Sequence, residues 1–600
     1  MRNGYFRFVD NISSSFARIM AAAVDRYLFV AAIDFGTTYS GYAFSSKDAF
    51  EEDPLKISTN SWNSGSDLSY KAPTALLLTP KKEFKSFGYT AETDYTQMAE
   101  DGADLSKHYY FHRFKMLLHN NKNLGKKTKI TDETGKSFPA FDVFVHSIRY
   151  LKDHVFHAIK NSFTDLLEKD MKYVLTVPAI WNDNAKQFMR EAAAEAGIKG
   201  TQLMIALEPE AASIYCQTLP SETVYNRTFL KAANSGSTYM VVDLGGGTAD
   251  ITVHQRQGDR TLKELLPATG GALGGKSVDD EFWRFLGQVV GEKNLALMKK
   301  ESMEDYIDLS RQFETKKREI TVEGERNVLF TLPVTLLDII KRDKQRQTIE
   351  KAIQISPFSH TVELKRKKLS INVGQFRGLF SKTINGILSH METILYKHKF
   401  KHIQHILMVG GFSECLLLQS AIRKRLNQKV IVVPDEAGLA VLKGAVLFGH
   451  TPRAISCRVA RYSYGTQSWP TFNPNVHPEK KRVVINGVSR CKDVFFKFIE
   501  ANQELVPGHR ESQVFQPLNL TENFLECTVY ASPLVDPMFT DEDDCIVLGV
   551  LRIPLNPKRK KNLKIEETLI FGETELAVQA RDIETEEIYE TQFNLLKDGT

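Results

Sequence analysis

The chain of 600 residues is too long to fold around one compact core and predicts more than one structural unit. Its composition, 42% hydrophobic and 25% charged, is that of an ordinary globular protein and excludes disordered, collagen-like and disulfide-scaffold classes. The net charge of +5 is too small to favour a nucleic-acid-binding protein, whose domains carry clustered lysine and arginine.

Residues 1–27 predict an N-terminal extension that precedes the folded part of the chain. Arg2, Arg7 and Arg18 lie among Phe, Ser and Ala residues with the single acid Asp10. This pattern also resembles a weak mitochondrial targeting segment, which is the alternative interpretation. We expect a non-essential extension and a cytoplasmic protein, because the segment has no secure targeting signal.

The sequence predicts neither a transmembrane segment nor a paired cysteine site. The best apolar stretch, residues 20–33, is interrupted by Asp25 and Arg26 and falls short of a membrane-spanning helix. The six cysteines are scattered and none forms a Cys-x-x-Cys pair, which excludes zinc-ribbon and thioredoxin motifs. Scattered single thiols are typical of a reducing compartment.

In chain order, the first strong pattern is a buried strand, a glycine turn and a second strand within residues 28–44 (LFVAAIDFGTTYSGYAF). Apolar residues at helical spacing predict a helix over 141–163, and an alanine-rich stretch predicts a second helix over 184–196 that ends at Gly197. Residues 239–253 (YMVVDLGGGTADITV) then repeat the strand–turn–strand pattern.

The two strand–turn–strand segments share a further feature. Each places an aspartate, Asp34 or Asp243, at the end of its buried strand, with Gly and Thr in the turn that follows. We interpret the segments as one unit that occurs twice, which predicts a duplicated α/β lobe. A third glycine turn follows a predicted strand at 403–413, and strands dominate beyond about residue 451. We therefore predict one α/β domain over 28–452 and a β-rich domain over 453–600.

The chemistry of the two turns points to a phosphate ligand. Backbone N–H groups in a glycine turn form a concave array of donors that suits phosphate oxygens, and a threonine hydroxyl adds another donor. A carboxylate beside the turn would repel phosphate unless a cation lay between them, so two aspartates imply Mg²⁺. The alternative is a pair of structural hairpins whose Asp and Thr side chains satisfy only the turn backbone.

These segments resemble the first and second phosphate motifs of the 70-kDa heat-shock protein family. Residues 206–215 (ALEPEAASIY) are similar to its first connecting segment, 313–321 (FETKKREIT) to its adenosine helix, 409–414 (VGGFSE) to its adenosine loop and 433–449 to the segment after that loop. The residues of AIDFGTTYSGYAF and ALEPEAASIY are most similar to those of the divergent 12A/12B-like branch. The resemblance implies a two-lobed, actin-like (ribonuclease H-like, duplicated) nucleotide-binding domain, followed by a small β-rich, substrate-binding-like domain without a helical lid.

The resemblance also implies the cofactors ATP or ADP with Mg²⁺ and a role for each matching residue. Asp34 and Asp243 would orient Mg²⁺ through water, Glu208 would support the water shell of the metal, and Lys115 would help to place the attacking water. Thr37 and Thr248 would donate hydroxyls to phosphate. The other implied nucleotide contacts are Gly36, Thr38, Gly245, Gly246, Gly247, Gly275, Glu314, Lys317, Arg318, Gly410, Gly411 and Asp435.

A separate phosphate-binding motif, of the P-loop type, offers an alternative to this interpretation. Residues 270–277 (GGALGGKS) satisfy the GxxxxGK[ST] pattern of a P-loop and lie between a predicted strand and a predicted helix. The same stretch also matches the position of a glycine loop in the heat-shock family. We favour the family loop, because one chain rarely needs two phosphate cradles.

Two departures from the family pattern affect the predicted function. Glu414 occupies the position of the adenine-stacking arginine, and Glu has no planar guanidinium to stack on a base. The family's interdomain linker is replaced by HTPRAISCRVARYSYG at 450–465, and residues 451–600 are too few for both a β-sandwich and a helical lid.

We predict an ATP-binding, heat-shock-70-like protein that hydrolyses ATP weakly or uses it as the conformational switch of a chaperone-like or adaptor protein. The first alternative is a pseudo-ATPase that acts as an interaction scaffold. The second is a small-molecule kinase of the same fold, for which we find no separate acceptor base. The expected partners are a nucleotide and protein clients or adaptors, not nucleic acid.

Overall fold

The computed structural model of the chain describes residues 27–63, 68–121, 124–219, 235–518, 524–554, 563–572 and 576–591. The predicted N-terminal extension and the alternative targeting segment lie outside the described residues, apart from residue 27. The described chain forms two lobes, each built on a mixed sheet, and a β-rich C-terminal region.

The first lobe is built on a sheet in the strand order β13-β12-β1-β2-β3, with β6 also paired to β2. Strand β1 is buried along its whole length, as its apolar run predicts. It pairs antiparallel with β2 and parallel with β12. The strands of this lobe are β1 Phe29–Phe35, β2 Tyr39–Ser46, β3 Ser58–Thr59, β4 Trp62–Asn63, β5 Leu68–Ser69, β6 Ala72–Pro73, β7 Ala75–Leu78, β8 Phe84–Phe87, β9 Tyr109–His112, β10 Lys129–Thr131, β11 Ser137–Pro139, β12 Met171–Val177 and β13 Leu203–Leu207.

The helices of the first lobe cover its sheet. The two helices predicted from the sequence are present, and Gly197 follows the second with a positive φ of 100°, the conformation that glycine favours after a helix. The helices are α1 Lys47–Glu52, α2 Tyr89–Glu100, α3 Ala140–Lys160, α4 Asp183–Glu195 and α5 Glu208–Thr218, with short 3-10 helices at Leu105–Lys107, Phe114–Leu118, Glu168–Asp170 and Gly200–Gln202.

The second lobe repeats the central arrangement of the first. Strand β14 pairs antiparallel with β15 and parallel with β20, which is parallel to β21, and β16 continues the sheet beyond β15. The strands are β14 Thr238–Leu244, β15 Ala249–Arg256, β16 Leu262–Gly271, β17 Val328–Thr331, β18 Val362–Lys365, β19 Lys368–Ile371, β20 His405–Val409 and β21 Val430–Val432. The shared topology of β1-β2-β12-β13 and β14-β15-β20-β21 confirms the predicted duplication.

Helices of the second lobe pack on this sheet and on the hairpins beside it. They are α6 Gly275–Val290, α7 Glu292–Glu301, α8 Met303–Glu319, α9 Val334–Arg342, α10 Ile349–Ile355, α11 Val373–Gly378, α12 Ser381–Leu395, α13 Leu416–Arg425 and α14 Ala440–His450, with 3-10 helices at His398–Phe400, Gly411–Glu414, Ala437–Leu439 and Pro452–Ala454.

The two lobes are joined by a shared apolar core. Buried residues from β1, β12, α5, β14, β20 and α14 form one hydrophobic cluster, so the lobes meet at the base of both sheets. Helices α5 and α14 cross closely there. Their backbones approach so closely at Gly444 that a Cβ on this residue would overlap the carbonyl oxygen of Ala211. This junction holds the ends of β1 and β14 near each other.

The C-terminal region forms two further sheets, β26-β23-β29-β30 and β28-β31-β32-β33, around a hydrophobic core of their own. Its strands are β22 Ile455–Val459, β23 Ser463–Ser468, β24 Arg482–Ile485, β25 Val488–Cys491, β26 Val494–Ile499, β27 Glu504–Leu505, β28 His509–Phe515, β29 Phe524–Ser532, β30 Ile546–Pro554, β31 Ile565–Phe571, β32 Leu576–Asp582 and β33 Ile588–Thr591, with a 3-10 helix at Glu479–Lys481. Strand β22 pairs with β16, so the sheet of the second lobe extends past residue 452. No helix in the described part of the chain is long and apolar enough to cross a membrane.

Candidate functional site

A cavity of about 670 Å³ opens between the two lobes where the glycine turns of both sheets meet. With the exception of Asp435, every site residue predicted from the sequence lines this cavity. The lining set comprises Asp34, Gly36, Thr37, Thr38, Lys115, Glu208, Asp243, Gly245, Gly246, Gly247, Thr248, Gly275, Glu314, Lys317, Arg318, Gly410 and Gly411.

The two turns face each other across one narrow gap. A Cβ at Gly246 would collide with the side chain of Thr38, so the turn of the second lobe touches that of the first through a position that only glycine can fill. Gly410 has a φ of +84° and packs against Asp243 and the carbonyl of Leu244, where any side chain would clash. The part of the cavity wall where the two turns meet is therefore formed by the backbone of glycine residues.

Asp34, at the end of β1, is a carboxylate whose charge the protein already compensates. Its Oδ2 accepts a hydrogen bond from Lys71 Nζ at 2.6 Å, and its Oδ1 accepts one from the Thr176 hydroxyl at 2.9 Å. Burial alone would raise the pKa of Asp34, but Lys71 and Lys115 outweigh burial and lower it.

Asp243, at the matching end of β14, is in the opposite electrostatic state. Burial raises its pKa well above the usual range, and the nearby carboxylates Glu208, Asp250 and Asp34 raise it further. The pKa of Glu208 is also raised, chiefly by burial, with Lys115 opposing the shift. Within the described residues Glu208 is therefore paired with Lys115, whereas Asp243 forms no ion pair.

The carboxyl groups of Asp243 and Glu208 are of the type that holds a hydrated Mg²⁺. Within the described residues, no cluster of three or more His, Cys, Asp or Glu is arranged to hold a metal by itself. Asp243 and Glu208 would instead hold the ion through water, with phosphate oxygens as its remaining ligands, which is how Mg²⁺ is commonly bound. Asp34 is paired with Lys71, whereas Asp243 has no ion-pair partner among the described residues, so a metal held through water would lie nearer Asp243 than Asp34.

Lys115 is fixed against Glu208 in the wall of the cavity. It lies in the 3-10 helix Phe114–Leu118, and its Nζ donates to Glu208 Oε1 at 2.8 Å. The same ammonium lies 5.1 Å from the centroid of the Trp181 ring. The side chain is only 3% exposed, so its charge is held in place before any ligand arrives.

At the other end of the cavity, helix α8 presents a compact group of charges. Lys317 forms ion pairs of 2.6 Å with Glu314 and with Asp279, and Arg318 Nε donates to Glu314 at 2.7 Å. Burial would raise the pKa of Glu314, but Lys317 and Arg318 lower it to about 2. The Arg318 guanidinium lies 5.2 Å from the ring centroid of Tyr39, so these two residues approach each other from opposite lobes.

Glu414 is held by the backbone of the cavity wall. It ends the 3-10 helix Gly411–Glu414, and its Oε1 accepts the N–H of Gly438 at 3.0 Å. Burial lowers the pKa of Arg318, but Glu314, Tyr39 and, to a smaller extent, Glu414 outweigh burial and raise it. Glu414 therefore holds the loop around Gly438 in place. Arg318 supplies a guanidinium to the same end of the cavity.

Asp435 is the one residue predicted as a nucleotide contact that does not line the cavity. Asp435 is exposed in the turn before the 3-10 helix Ala437–Leu439 and does not line the cavity. The chain turns back toward the cavity only at Gly438, whose N–H and carbonyl bond to Glu414 and Lys71. Asp435 therefore lies three positions before the residue that reaches the cavity wall, and its contact with a nucleotide remains a prediction.

The P-loop alternative is excluded by the hydrogen bonds of the 270–277 segment. The N–H groups of Gly274, Gly275 and Lys276 donate to carbonyls in the Gly245–Gly247 turn at 3.1, 3.1 and 2.7 Å, so they cannot cradle phosphate. The Lys276 ammonium is paired with the exposed Asp280 at 2.8 Å, outside the cavity.

Sequence reasoning missed three polar residues at the phosphate end: Lys71, Thr176 and Asp250. Asp250 on β15 lies opposite Asp243 on β14 in the antiparallel register of the two strands, and its Oδ1 accepts the Ile180 N–H at 2.9 Å. The hairpin spacing of Asp243 and Asp250 could have revealed it. Lys71 and Thr176 reach Asp34 only through tertiary contacts, so no local pattern marks them.

A family profile described as Hsp70 protein matches residues 101–458. Human heat shock 70 kDa protein 12B is 33% identical over 93% of this chain and 89% of its own length. The chain belongs to the Hsp70 family.

Within the Hsp70 family, the chain is more similar to a 12A protein than to a DnaK chaperone. Mouse heat shock 70 kDa protein 12A is 33% identical over 93% of the chain and 90% of the relative. Chaperone protein DnaK of Mycoplasma mycoides subsp. mycoides is 24% identical over 58% of the chain and 51% of the relative. The predicted resemblance to the 12A/12B-like branch and the predicted actin-like fold are thereby confirmed, and membership supports an ATP-binding, Hsp70-like domain.

Proposed function

We propose that this Hsp70-family protein binds ATP and ADP with Mg²⁺ in the cavity between its lobes. The observation that carries the proposal is the meeting of two symmetric turns, with Asp34 and Asp243 at their bases, around one cavity. Among the described residues, the N–H groups of Gly246 and Gly247 have no protein acceptor. These donors suit the oxygens of a polyphosphate.

We propose further that the protein hydrolyses ATP weakly. Bound Mg²⁺ would neutralise phosphate charge. Asp243 and Glu208 would hold its water shell, and Lys115 would orient a water molecule for attack on the terminal phosphorus. The Thr37 and Thr248 hydroxyls would donate to phosphate oxygens. Catalysis by these residues rests on positioning and charge compensation rather than on a covalent intermediate.

The use of ATP as a conformational switch is supported by the contacts of the C-terminal region. Ile180 donates its N–H to Asp250 beside the cavity and accepts a hydrogen bond on its carbonyl from Arg461 in the segment that follows β22. Arg458 forms a bidentate pair with Glu210 at 2.8 Å for both bonds. The peptide unit at Ile180 therefore contacts both the phosphate end and the C-terminal region, which supports the proposed switch of a chaperone-like or adaptor protein. The cytoplasmic location predicted from the sequence remains a proposal.

A second candidate is a nucleotide-binding scaffold without hydrolysis. Glu414, which stands where the family has an adenine-stacking arginine, favours it because a carboxylate cannot stack on the base. On this alternative MgATP binds at the same residues and no phosphate is released.

Calorimetric titration of the full chain with MgATP, MgADP and MgGTP tests the proposal. We expect the adenine nucleotides to bind, and Asp243→Asn to weaken MgATP binding by about tenfold or more, because the buried carboxylate no longer holds the metal. Asp280→Asn, at an exposed carboxylate outside the cavity, is the control and should bind as the wild type does.

Phosphate release on the same samples separates the two candidates. Release from the wild type that exceeds release from Asp243→Asn supports hydrolysis, whereas equal release supports the scaffold. If the wild type binds none of the three nucleotides, the proposed function is rejected.

A further inference from the structure

Lys71 is a positive charge in the cavity wall that no sequence motif singles out. It lies between β5 and β6 and lines the cavity. Its Nζ donates to Asp34 Oδ2 at 2.6 Å and to the carbonyl oxygen of Gly438 at 2.8 Å. Asp34 belongs to the first lobe and Gly438 to the second, so one ammonium joins the two lobes beside the phosphate cradle.

Lys71 is also the more accessible of the two lysines at this end. Its side chain is 19% exposed, whereas that of Lys115 is 3% exposed and paired with Glu208. An ammonium has three N–H donors, and among the described residues acceptors are present for two of those of Lys71. The third donor remains for a ligand in the cavity.

The charges around Lys71 indicate why a third N–H donor would favour a phosphate ligand. Asp34, Glu208 and Asp243 line the phosphate end of the cavity, and within the described chain Lys71 and Lys115 are the lysines placed among them. Without Lys71, three carboxylates would face one lysine. A polyphosphate would then enter a more strongly negative site, which Coulomb repulsion disfavours.

We propose that Lys71 is a further phosphate-binding residue, whose third N–H binds a terminal phosphate oxygen while the other two hold Asp34 and Gly438. The inference deepens the proposed function and rests on it. Bound nucleotide and both lobes would share one ammonium, so Lys71 would connect the bound phosphate to the contact between the lobes. The phosphate-free part of the ligand, the nucleoside, would gain nothing from this residue.

The test compares ADP, in the presence of Mg²⁺, with adenosine by calorimetry on the full chain. Lys71→Met should weaken ADP binding by about tenfold, equivalent to about 1.4 kcal/mol, and change adenosine binding by less than about twofold. Lys71→Arg keeps the charge and should retain ADP affinity within about threefold. The matched control is Lys443→Met, because Lys443 has a similar exposure of 16% and pairs with Glu436 outside the cavity.

The ratio of ADP affinity to adenosine affinity separates phosphate binding from a structural role. A merely structural ion pair would alter both affinities together. An unchanged ratio in Lys71→Met, or equal losses in the Met and Arg variants, overturns the inference while wild-type nucleotide binding stands. A wild type that binds neither ligand overturns the proposed function and this inference with it.

A second comparison covers the case in which Lys71→Met does not fold. The double variant Asp34→Asn with Lys71→Met removes both charges of the pair and leaves no unpaired carboxylate, and its reference is Asp34→Asn alone. A lower ratio in the double variant than in its reference supports phosphate binding by Lys71, and an equal ratio overturns it.

Discussion

At the scale of single residues, two aspartates that are equivalent in the duplicated sequence differ in electrostatic state. Asp34 receives hydrogen bonds from Lys71 and Thr176, and its pKa is lowered. Asp243 lies among other carboxylates, and burial followed by their charges raises its pKa. Duplication thus supplied two similar turns, and neighbours from other elements made one turn charge-compensated and the other receptive to a cation.

This asymmetry predicts opposite effects on the stability of the nucleotide-free protein. Asp34→Asn leaves the Lys71 ammonium without its carboxylate and should lower the free energy of unfolding by about 1–3 kcal/mol. Asp243→Asn relieves repulsion among buried carboxylates and should not lower it. The measurement is urea unfolding at pH 8 in the presence of a chelator.

The same experiment has a clear contrary outcome. Equal destabilisation by the two substitutions would mean that Asp34 and Asp243 are compensated alike, and the assignment of the metal to the Asp243 side would fail. Asp280→Asn serves as the reference for an exposed carboxylate.

At the scale of elements, the crossing of α5 and α14 sets the distance between the lobes. Both helices contribute to the apolar cluster that spans β1 and β14, and Gly444 allows their backbones to touch at Ala211. Because the glycine turns lie at the ends of β1 and β14, a change in this crossing would be transmitted to the phosphate cradle.

Gly444→Ala should therefore destabilise the protein and weaken nucleotide binding together. The added methyl group overlaps a carbonyl, so the helices must separate, and overpacking of this kind costs about 1–3 kcal/mol. Gly378→Ala is the matched control, because Gly378 also lies in a helix, as the last residue of α11, and a Cβ there meets no atom within 4 Å. Thermal unfolding and MgADP titration of both variants are the measurements.

The two substitutions also test the role of the crossing. If Gly444→Ala loses stability but retains MgADP affinity, the crossing supports the fold without setting the geometry of the cradle. Gly378→Ala should leave both properties within a small margin of the wild type.

At the scale of the whole molecule, the C-terminal region is docked on the second lobe and on α4. Strand β22 pairs with β16, Val459 donates its N–H to Glu264 at 2.9 Å, and Tyr464 donates its hydroxyl to Asp183 at 3.2 Å. Burial, followed by the charge of Glu210, raises the pKa of Glu264 to about 8. The junction therefore contains a carboxyl group that holds a proton near neutral pH.

The raised pKa of Glu264 predicts that stability falls as the pH rises. Between the ordinary pKa of 4.5 and about 8, the folded protein keeps a proton that the unfolded chain releases, so each pH unit costs at most about 1.4 kcal/mol. The wild type should be less stable at pH 8 than at pH 5.5, and Glu264→Gln should reduce this difference.

Unfolding midpoints measured across that pH range provide the check. Glu504→Gln is the control, because Glu504 lies at the same junction but is 49% exposed and paired with Lys263. A slope for Glu264→Gln equal to that of the wild type would mean that another group carries the dependence on pH.

The duplicated hairpins, the glycine turns and the family can be predicted from the amino-acid sequence, because hydrophobic runs and glycine positions are local features that do not depend on tertiary contacts. The bounds of β1, β14 and α4 follow from the same local patterns. The match of residues 101–458 to the Hsp70 family agrees with motifs that can be read along the chain.

The pairing of the charges in the site, in contrast, depends on contacts between elements that are distant in the sequence. Lys71 reaches Asp34 from 37 positions away and Gly438 from 367 positions away, and the N–H groups of the apparent P-loop donate to a neighbouring turn. Asp435 points to the same limit, since it stands beside the contacting loop in sequence but is exposed in space. Ion pairing and burial depend on which elements pack together, and that information is distributed over both lobes rather than held in any one motif.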